Sequence, residues 1–294
     1  MKNILLNFDV ATVREAIRGE IPDLAINSIT IIETGWDHLV AEVNEEWIFR
    51  FPRNTSSIAN LEREKNLLEY LKNHITLPIP RFIFVGKKHA FVGYKKLPGI
   101  HLNQQIYNNL KPEVCLLIAQ TLATFFSELH RAVSIEQALL WGYSPIIRPL
   151  SRIEIFGNSL PADIGIMINE ALIKAKEDLS QRLVFIHQDV NGDNTAFDMI
   201  SGQITGVFDF SDTAMGPRSW DFAELFGIDE RLAKLTAEIY ADMNRVPNPL
   251  VGGAADYILR KATQILEGQQ TSLNAKLLQD LKDFLPIWHG LKSS

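Results

Sequence analysis

At 294 residues, 46% hydrophobic and 22% charged, the chain is long enough for two lobes that each bury a core of their own. A formal net charge of -6 argues against nucleic acid or an anionic membrane as the main partner, because both attract basic surfaces, and is compatible with a polycationic substrate. The single cysteine, Cys115, lies in an apolar helical run and cannot close an internal disulfide, and Ile4-Leu5-Leu6 is too short for a signal-peptide core, so the expected setting is a reducing cytoplasm.

Asp9 is placed to cap a short helix over Val10 to Gly19, which Pro22 stops. Strand formers then dominate in Ile26 to Ile32, His38 to Val43 and Trp47 to Phe51, separated by Gly35-Trp36-Asp37 and Asn44-Glu45-Glu46, an antiparallel meander. Ser57 to Asn73 carries Ile58, Leu61, Lys65, Leu68 and Leu71 at helical spacing, and Pro78 and Pro80 end it. Phe82 to Val85 and Ala90 to Tyr94 form a hairpin, and Leu97-Pro98-Gly99 marks a boundary between lobes.

Beyond it the pattern turns helical. Lys111 to Arg131 points Val114, Ile118, Leu122, Phe125, Phe126 and Leu129 inward, Ala132 to Leu160 suits an insert with short helices, and Ala162 to Leu179 is helical again. His130 reads as a structural histidine, since no second histidine stands at metal-ligand spacing. Later helices are expected over Trp220 to Phe226, Arg231 to Met243, Tyr257 to Leu266 and Leu273 to Leu285. The class is therefore α+β: a small antiparallel sheet first, a mainly helical part afterwards. No apolar run approaches the roughly 20 residues that span a bilayer.

Between the helices lies the stretch that carries chemistry, Ile186-His187-Gln188-Asp189-Val190-Asn191-Gly192-Asp193-Asn194, followed by Ile204-Thr205-Gly206-Val207-Phe208-Asp209-Phe210. Leu183 to Ile186 and Ile204 to Phe208 are buried-looking strands expected to lie side by side, so that their ends deliver Asp189, Asn194 and Asp209 to one mouth. A carboxylate, an amide and a second carboxylate suit phosphoryl transfer, one to hold an attacking hydroxyl and two to hold magnesium through hard oxygen ligands. Asp193 reads as a plain turn residue.

His-x-Asp-x-x-x-x-Asn followed by Asp-Phe resembles the catalytic and metal loops of the protein-kinase-like phosphotransferases, and most closely those of the aminoglycoside phosphotransferases. Gly216-Pro217-Arg218-Ser219-Trp220-Asp221 continues the likeness. Gly35-Trp36-Asp37-His38-Leu39-Val40 and Phe49-Arg50-Phe51-Pro52-Arg53 are similar to the 2″-phosphotransferase branch. The resemblance implies a two-lobed kinase-like fold, with residues 1–96 as a nucleotide-binding lobe and 97–294 as a helical lobe with the catalytic loop and acceptor site. It implies Mg2+ and ATP or GTP as phosphate donor, Asp189 as catalytic base, and Asn194 and Asp209 as metal ligands. Gly35 would belong to the loop over the phosphates, Arg50 would replace the usual phosphate-binding lysine, Glu64 would brace it, and the backbone of Lys95, Lys96 and Leu97 would meet the purine edge.

Plainer explanations stand beside these: a hairpin turn for Gly35, a strand-edge cap for Arg50, a surface loop for the lysines. Asp221 is placed outside the core catalytic set, as a helix-dipole partner that also ties down the loop. The implied activity is phosphorylation of a hydroxyl on an aminoglycoside antibiotic, hence antibiotic resistance, with carboxylates at Asp221, Glu224, Asp229 and Glu230 available to a cationic acceptor. The alternatives are a kinase of another small alcohol (a macrolide, choline, homoserine or a sugar-like metabolite) and a nucleotide-binding pseudokinase prompted by Arg50.

Overall fold

The computed structural model describes residues 9–32, 38–268 and 271–293. The chain divides into two compact units, the first running to Pro98 and taking in Thr205–Ser211, the second holding Gly99–Ile204 and the chain from Asp212 onward.

In the first unit, α1 (Val10–Glu20) starts where the Asp9 side chain accepts the Thr12 N–H at 2.8 Å. Strands β1 (Ile29–Ile32), β2 (His38–Val43) and β3 (Trp47–Pro52) form the expected meander. Helix α2 (Thr55–Leu71) follows, then β4 (Phe84–Val85) and β5 (Val92–Lys95), giving an antiparallel sheet of order β1-β2-β3-β5-β4. Asn44 and Glu45 both have positive φ, as the tight β2–β3 hairpin requires. The period of two puts Leu39, Ala41, Val43, Phe49 and Phe51 into one core with Val13, Ala16 and Ile17 of α1. Arg50 therefore faces the other side of the sheet.

Helix α2 is capped by Asn54, which accepts the Ser57 N–H at 2.8 Å. Its buried face is Leu61, Glu64, Leu67, Leu68 and Leu71, whereas Ile58, expected to point inward, is exposed.

The second unit opens with β6 (Ile100–His101), α3 (Gln104–Asn108) and the long α4 (Pro112–Ala132), whose buried residues include Cys115, Ile118, Leu122, Phe125, Phe126, Leu129 and His130. The insert folds as α5 (Ile135–Leu140) and α6 (Leu150–Gly157), followed by α7 (Ala162–Leu179). Then come β7 (Val184–Ile186), β8 (Thr195–Asp198), β9 (Gln203–Val207) and β10 (Ala214–Gly216); two 3-10 turns, Arg218–Phe222 and Glu224–Gly227; and α8 (Glu230–Asn244), α9 (Leu250–Glu267) and α10 (Thr271–Ser293). Strand β9 begins in the second unit and continues into the Thr205–Ser211 segment of the first.

Two sequence expectations are corrected here. The strands around Leu183 to Ile186 and Ile204 to Phe208 do not pair: β7 pairs antiparallel with β10, and β9 lies in a separate sheet of order β6-β8-β9. Thr195–Asp198 and Ala214–Gly216, four and three residues long, are too short to show an alternation in sequence, which hides the true pairing partners. Trp220 to Phe226 is not one helix but parts of two 3-10 turns. No helix among the described residues is long and apolar enough to cross a membrane.

Candidate active site

Arg50 is the centre of the first unit's polar cluster. It is 4% exposed, with Nη1 donating to Glu64 Oε1 at 2.7 Å and Nη2 to Asp209 Oδ1 at 3.3 Å. The Nη2 also meets Nδ1 of buried His38 at 3.4 Å. Burial alone would lower the Arg50 pKa, but the Glu64 and Asp209 carboxylates outweigh it, and the guanidinium stays charged. Burial pushes the Glu64 carboxyl up, opposed by the Arg50 charge. Burial and the Arg50 charge together hold His38 down at about 4, so its ring is neutral at pH 7 and Nδ1 can accept from Arg50.

Asp209 sits at φ +63°, a conformation that few non-glycine residues adopt, and the Ser211 hydroxyl donates to its Oδ1 at 2.6 Å. Phe210 N–H donates to Glu64 Oε1 at 3.3 Å, so α2 and the Asp209 segment are fixed to each other as well as to Arg50. Gly206 just upstream is obligatory, since a Cβ there would lie 2.5 Å from Leu97 Cδ1 and 2.8 Å from the Pro78 carbonyl.

Lys95 and Lys96 turn their ammonium groups to carboxylates, Lys95 to Glu46 and Lys96 to Glu42, each at 3.0 Å. The Lys96 N–H donates to the Glu46 carbonyl at 2.8 Å. Gly35, with Trp36 and Asp37, lies outside the described residues.

In the second unit, β7 ends at Ile186 and the loop that follows is built on amide side chains. Asp189 Oδ1 accepts from Asn191 Nδ2 at 2.8 Å and Oδ2 from Asn194 Nδ2 at 2.6 Å, and the same Asn194 nitrogen reaches the Asp189 carbonyl at 2.9 Å. Asn191 Oδ1 in turn accepts the Asn194 N–H at 3.0 Å. Gly192 allows the loop to pass the Leu102 carbonyl, 2.5 Å from where a Cβ would be. Asp193 is 93% exposed, as a turn residue should be.

Below the loop lies Asp221, buried in the first 3-10 turn. Its Oδ1 accepts the Gln188 N–H at 2.6 Å, and its Oδ2 accepts the His187 N–H at 3.2 Å and pairs with His130 Nε2 at 2.8 Å. His130 completes the chain through Nδ1 to the Tyr240 hydroxyl at 2.8 Å, which makes it a structural histidine. His187 orders the loop too, accepting the Asp189 N–H on Nδ1 at 3.2 Å. Asn191 and His38 were not singled out in the sequence. Only Asn191 had a signal, its place inside the His-x-Asp-x-x-x-x-Asn spacing.

The donors suit magnesium. The Asn194 amide nitrogen donates to the carbonyl and to Oδ2 of Asp189, which leaves the amide oxygen as its donor to a cation, and the Asp209 side chain is 42% exposed. Among the described residues no three His, Cys, Asp or Glu side chains form a ready-made metal cage.

Three of the four acidic residues expected to serve an acceptor are already engaged, and the fourth, Glu230, is exposed in the first turn of α8. Asp221 holds the loop, Asp229 caps α8 and pairs with Arg231 at 2.8 Å, and Glu224 pairs with Arg260 at 3.3 Å.

The fold is shared with solved phosphotransferases. The GDP complex of wild-type aminoglycoside 2'-phosphotransferase-IIIa superposes with a TM-score of 0.82 at 20% identity, over 95% of this chain and 99% of that one. A GDP and kanamycin complex of an aminoglycoside 2″-phosphotransferase gives 0.78 at 21% identity, over 92% and 97%. The apoenzyme of a macrolide 2'-phosphotransferase from Brachybacterium faecium gives 0.67 at 17% identity, over 92% and 96%. These likenesses give the α+β, protein-kinase-like fold, with its small antiparallel sheet and helical C-terminal part. Residues 28–257 match the model of the phosphotransferase enzyme family, which spans both polar clusters, and the chain belongs to that family.

Proposed function

We propose that the protein is a small-molecule kinase that transfers the γ-phosphate of ATP or GTP to a hydroxyl group. The observation that carries this is the Asp189 carboxylate, held by amide donors on both oxygens in a loop fastened by a buried aspartate. Those bonds fix the direction of the carboxylate, which is what orienting an attacking hydroxyl requires.

In this account the first unit binds the nucleotide. Arg50 faces the phosphates, braced by Glu64, and the backbone at Leu97 meets the purine edge, since the Lys96 N–H already has the Glu46 carbonyl. Asn194 and Asp209 would hold magnesium, which supplies charge neutralisation across the phosphates when bound. Phosphoryl transfer passes through a loose transition state, so positioning and charge are most of what the protein has to supply.

An aminoglycoside acceptor is supported by the similar structures, which include a kanamycin and a gentamicin complex. A second reading, another small alcohol, is favoured by the engagement of Asp221, Glu224 and Asp229 inside the protein. A coupled nucleotide-turnover screen against aminoglycosides, macrolides and simple alcohols, with mass spectrometry of products, tests the assignment. Phosphorylated product is expected from at least one hydroxyl compound, and nucleotide binding without any product would favour a pseudokinase.

A further inference from the structure

Gly252, Gly253, Asp256 and Arg260 follow one another at helical spacing on α9. Neither glycine has room for a side chain: a Cβ on Gly252 would lie 2.6 Å from Ser219 Cβ, and one on Gly253 2.9 Å from Phe222 Cβ. The helix is thereby seated on the 3-10 turn whose Asp221 holds the loop leading into Asp189. Further along, wholly buried Asp256 accepts Arg148 Nε and Nη2 at 3.2 and 3.0 Å and Arg260 Nε at 2.7 Å. Arg148 also stacks 5.0 Å over the Trp220 ring.

Arg260 is less well matched at its far end. Nη1 reaches Glu224 Oε1 at 3.3 Å, long for a charge-assisted bond, and Nη2 is buried with no hydrogen-bond partner among the described residues. Burial would lower the Arg260 pKa, and Asp256, Glu224 and then Asp189 raise it, so the field of Asp189 reaches this guanidinium. An arginine fork is satisfied by two parallel N–H···O bonds to one carboxylate, and Glu224 makes only one. A buried donor without a partner points to a group that arrives from outside. Glu224 is the member able to yield, because its side chain keeps 18% exposure while Asp256 has none.

We propose that Arg260 is an acceptor-binding residue and that the acceptor is an alcohol bearing a carboxylate or similar anionic group, which replaces Glu224 on the guanidinium fork while its hydroxyl meets Asp189. With Glu224 turned away, Arg148 and Arg260 face Asp256 alone, leaving a net positive site that suits an anion and repels an ammonium group. The inference rests on the kinase assignment above.

The test uses the full chain with magnesium and ATP or GTP, and three sets of acceptors: D-glycerate and gluconate; their carboxylate-free counterparts glycerol and glucose; and the polycations kanamycin and gentamicin. Products are read by mass spectrometry and thermal melting checks that each variant folds. The expected result is transfer to a hydroxy acid in preference to its uncharged counterpart. Arg260→Lys, which keeps the charge and loses the fork, should raise the hydroxy-acid KM about tenfold or more with a smaller change in kcat. Glu224→Gln should lower that KM. Preference for uncharged alcohols or polycations, or an acceptor KM indifferent to both substitutions, overturns the inference and leaves the kinase assignment standing. Transfer to no hydroxyl compound at all overturns the kinase assignment, and this inference with it.

Discussion

The backbone N–H of Gln188 donates to Asp221 Oδ1 at 2.6 Å, joining residues far apart in sequence. Gln188 holds φ +73°, which a side chain other than glycine adopts only when its surroundings impose it. Asp221 supplies that constraint, and so fixes the residue immediately before the proposed base.

Asp221→Asn would set an amide N–H2 against one or more of the donors now held by the carboxylate. Buried charge-assisted bonds are worth about 1.5–3 kcal/mol each, so a loss of about 2–4 kcal/mol in stability is expected, with kcat falling by about 10²-fold. Urea unfolding beside steady-state kinetics checks it, and an unchanged kcat would reduce Asp221 to a packing residue.

Arg50 should prove a working phosphate contact. Arg50→Ala leaves Glu64 buried without its cation, a change that costs about 3–5 kcal/mol in comparable buried pairs, and should abolish measurable nucleotide affinity. Arg50→Lys keeps the charge but cannot reach Glu64, Asp209 and His38 together, and should retain part of the affinity. Calorimetry on folded protein decides, and wild-type affinity in Arg50→Ala would restore the strand-edge explanation.

His38 predicts a pH dependence. With a pKa held down at about 4 in the folded protein against 6.5 for the free side chain, the unfolded chain binds the extra proton between those values. Stability from this residue is therefore present above about pH 6.5 and lost as the pH falls towards 4, up to about 3 kcal/mol over the window. Glu64, shifted upward, acts in the opposite sense, so the comparison must be with His38→Gln, which keeps an acceptor for Arg50 and does not titrate. The difference in unfolding free energy between the two proteins should change steadily from pH 7 to pH 4. A constant difference would mean that His38 titrates normally.

Gly252 offers a sign test. Gly→Ala inside a helix ordinarily stabilises by about 1 kcal/mol. Here the new Cβ would lie 2.1 Å from Asp178 Oδ2, and overpacking of this kind costs about 1–3 kcal/mol. Gly252→Ala should therefore destabilise in urea unfolding, and a stabilised variant would show that α9 is free to shift from the 3-10 turn.

The same glycines explain why the helix was legible only from Tyr257: Gly252-Gly253 reads as a helix breaker in sequence, and its purpose as a close-packing site exists only against Ser219 and Phe222. By contrast β2 and α7 were readable to the residue, because each has a strong period and clear ends. The polar clusters divide in the same way. Asp189 with Asn194, and Arg50 with Glu64, announce themselves by local spacing and by resemblance. Bonds to partners distant in the chain, such as Asp221 to Gln188 or Arg260 to Glu224, leave no periodic trace. For that reason the acidic stretch from Asp221 to Glu230 read as available charge when much of it is bound internally.

The central claim is that Asp189 holds the hydroxyl that receives the phosphate. Transfer of labelled γ-phosphate to the best acceptor, measured for wild type, Asp189→Asn and Asp193→Asn under conditions where each binds nucleotide, tests it most directly. The account predicts a loss of at least about 10²-fold in Asp189→Asn. Asp193→Asn, altered at an exposed turn, should match the wild type. A wild-type rate in Asp189→Asn would contradict the account.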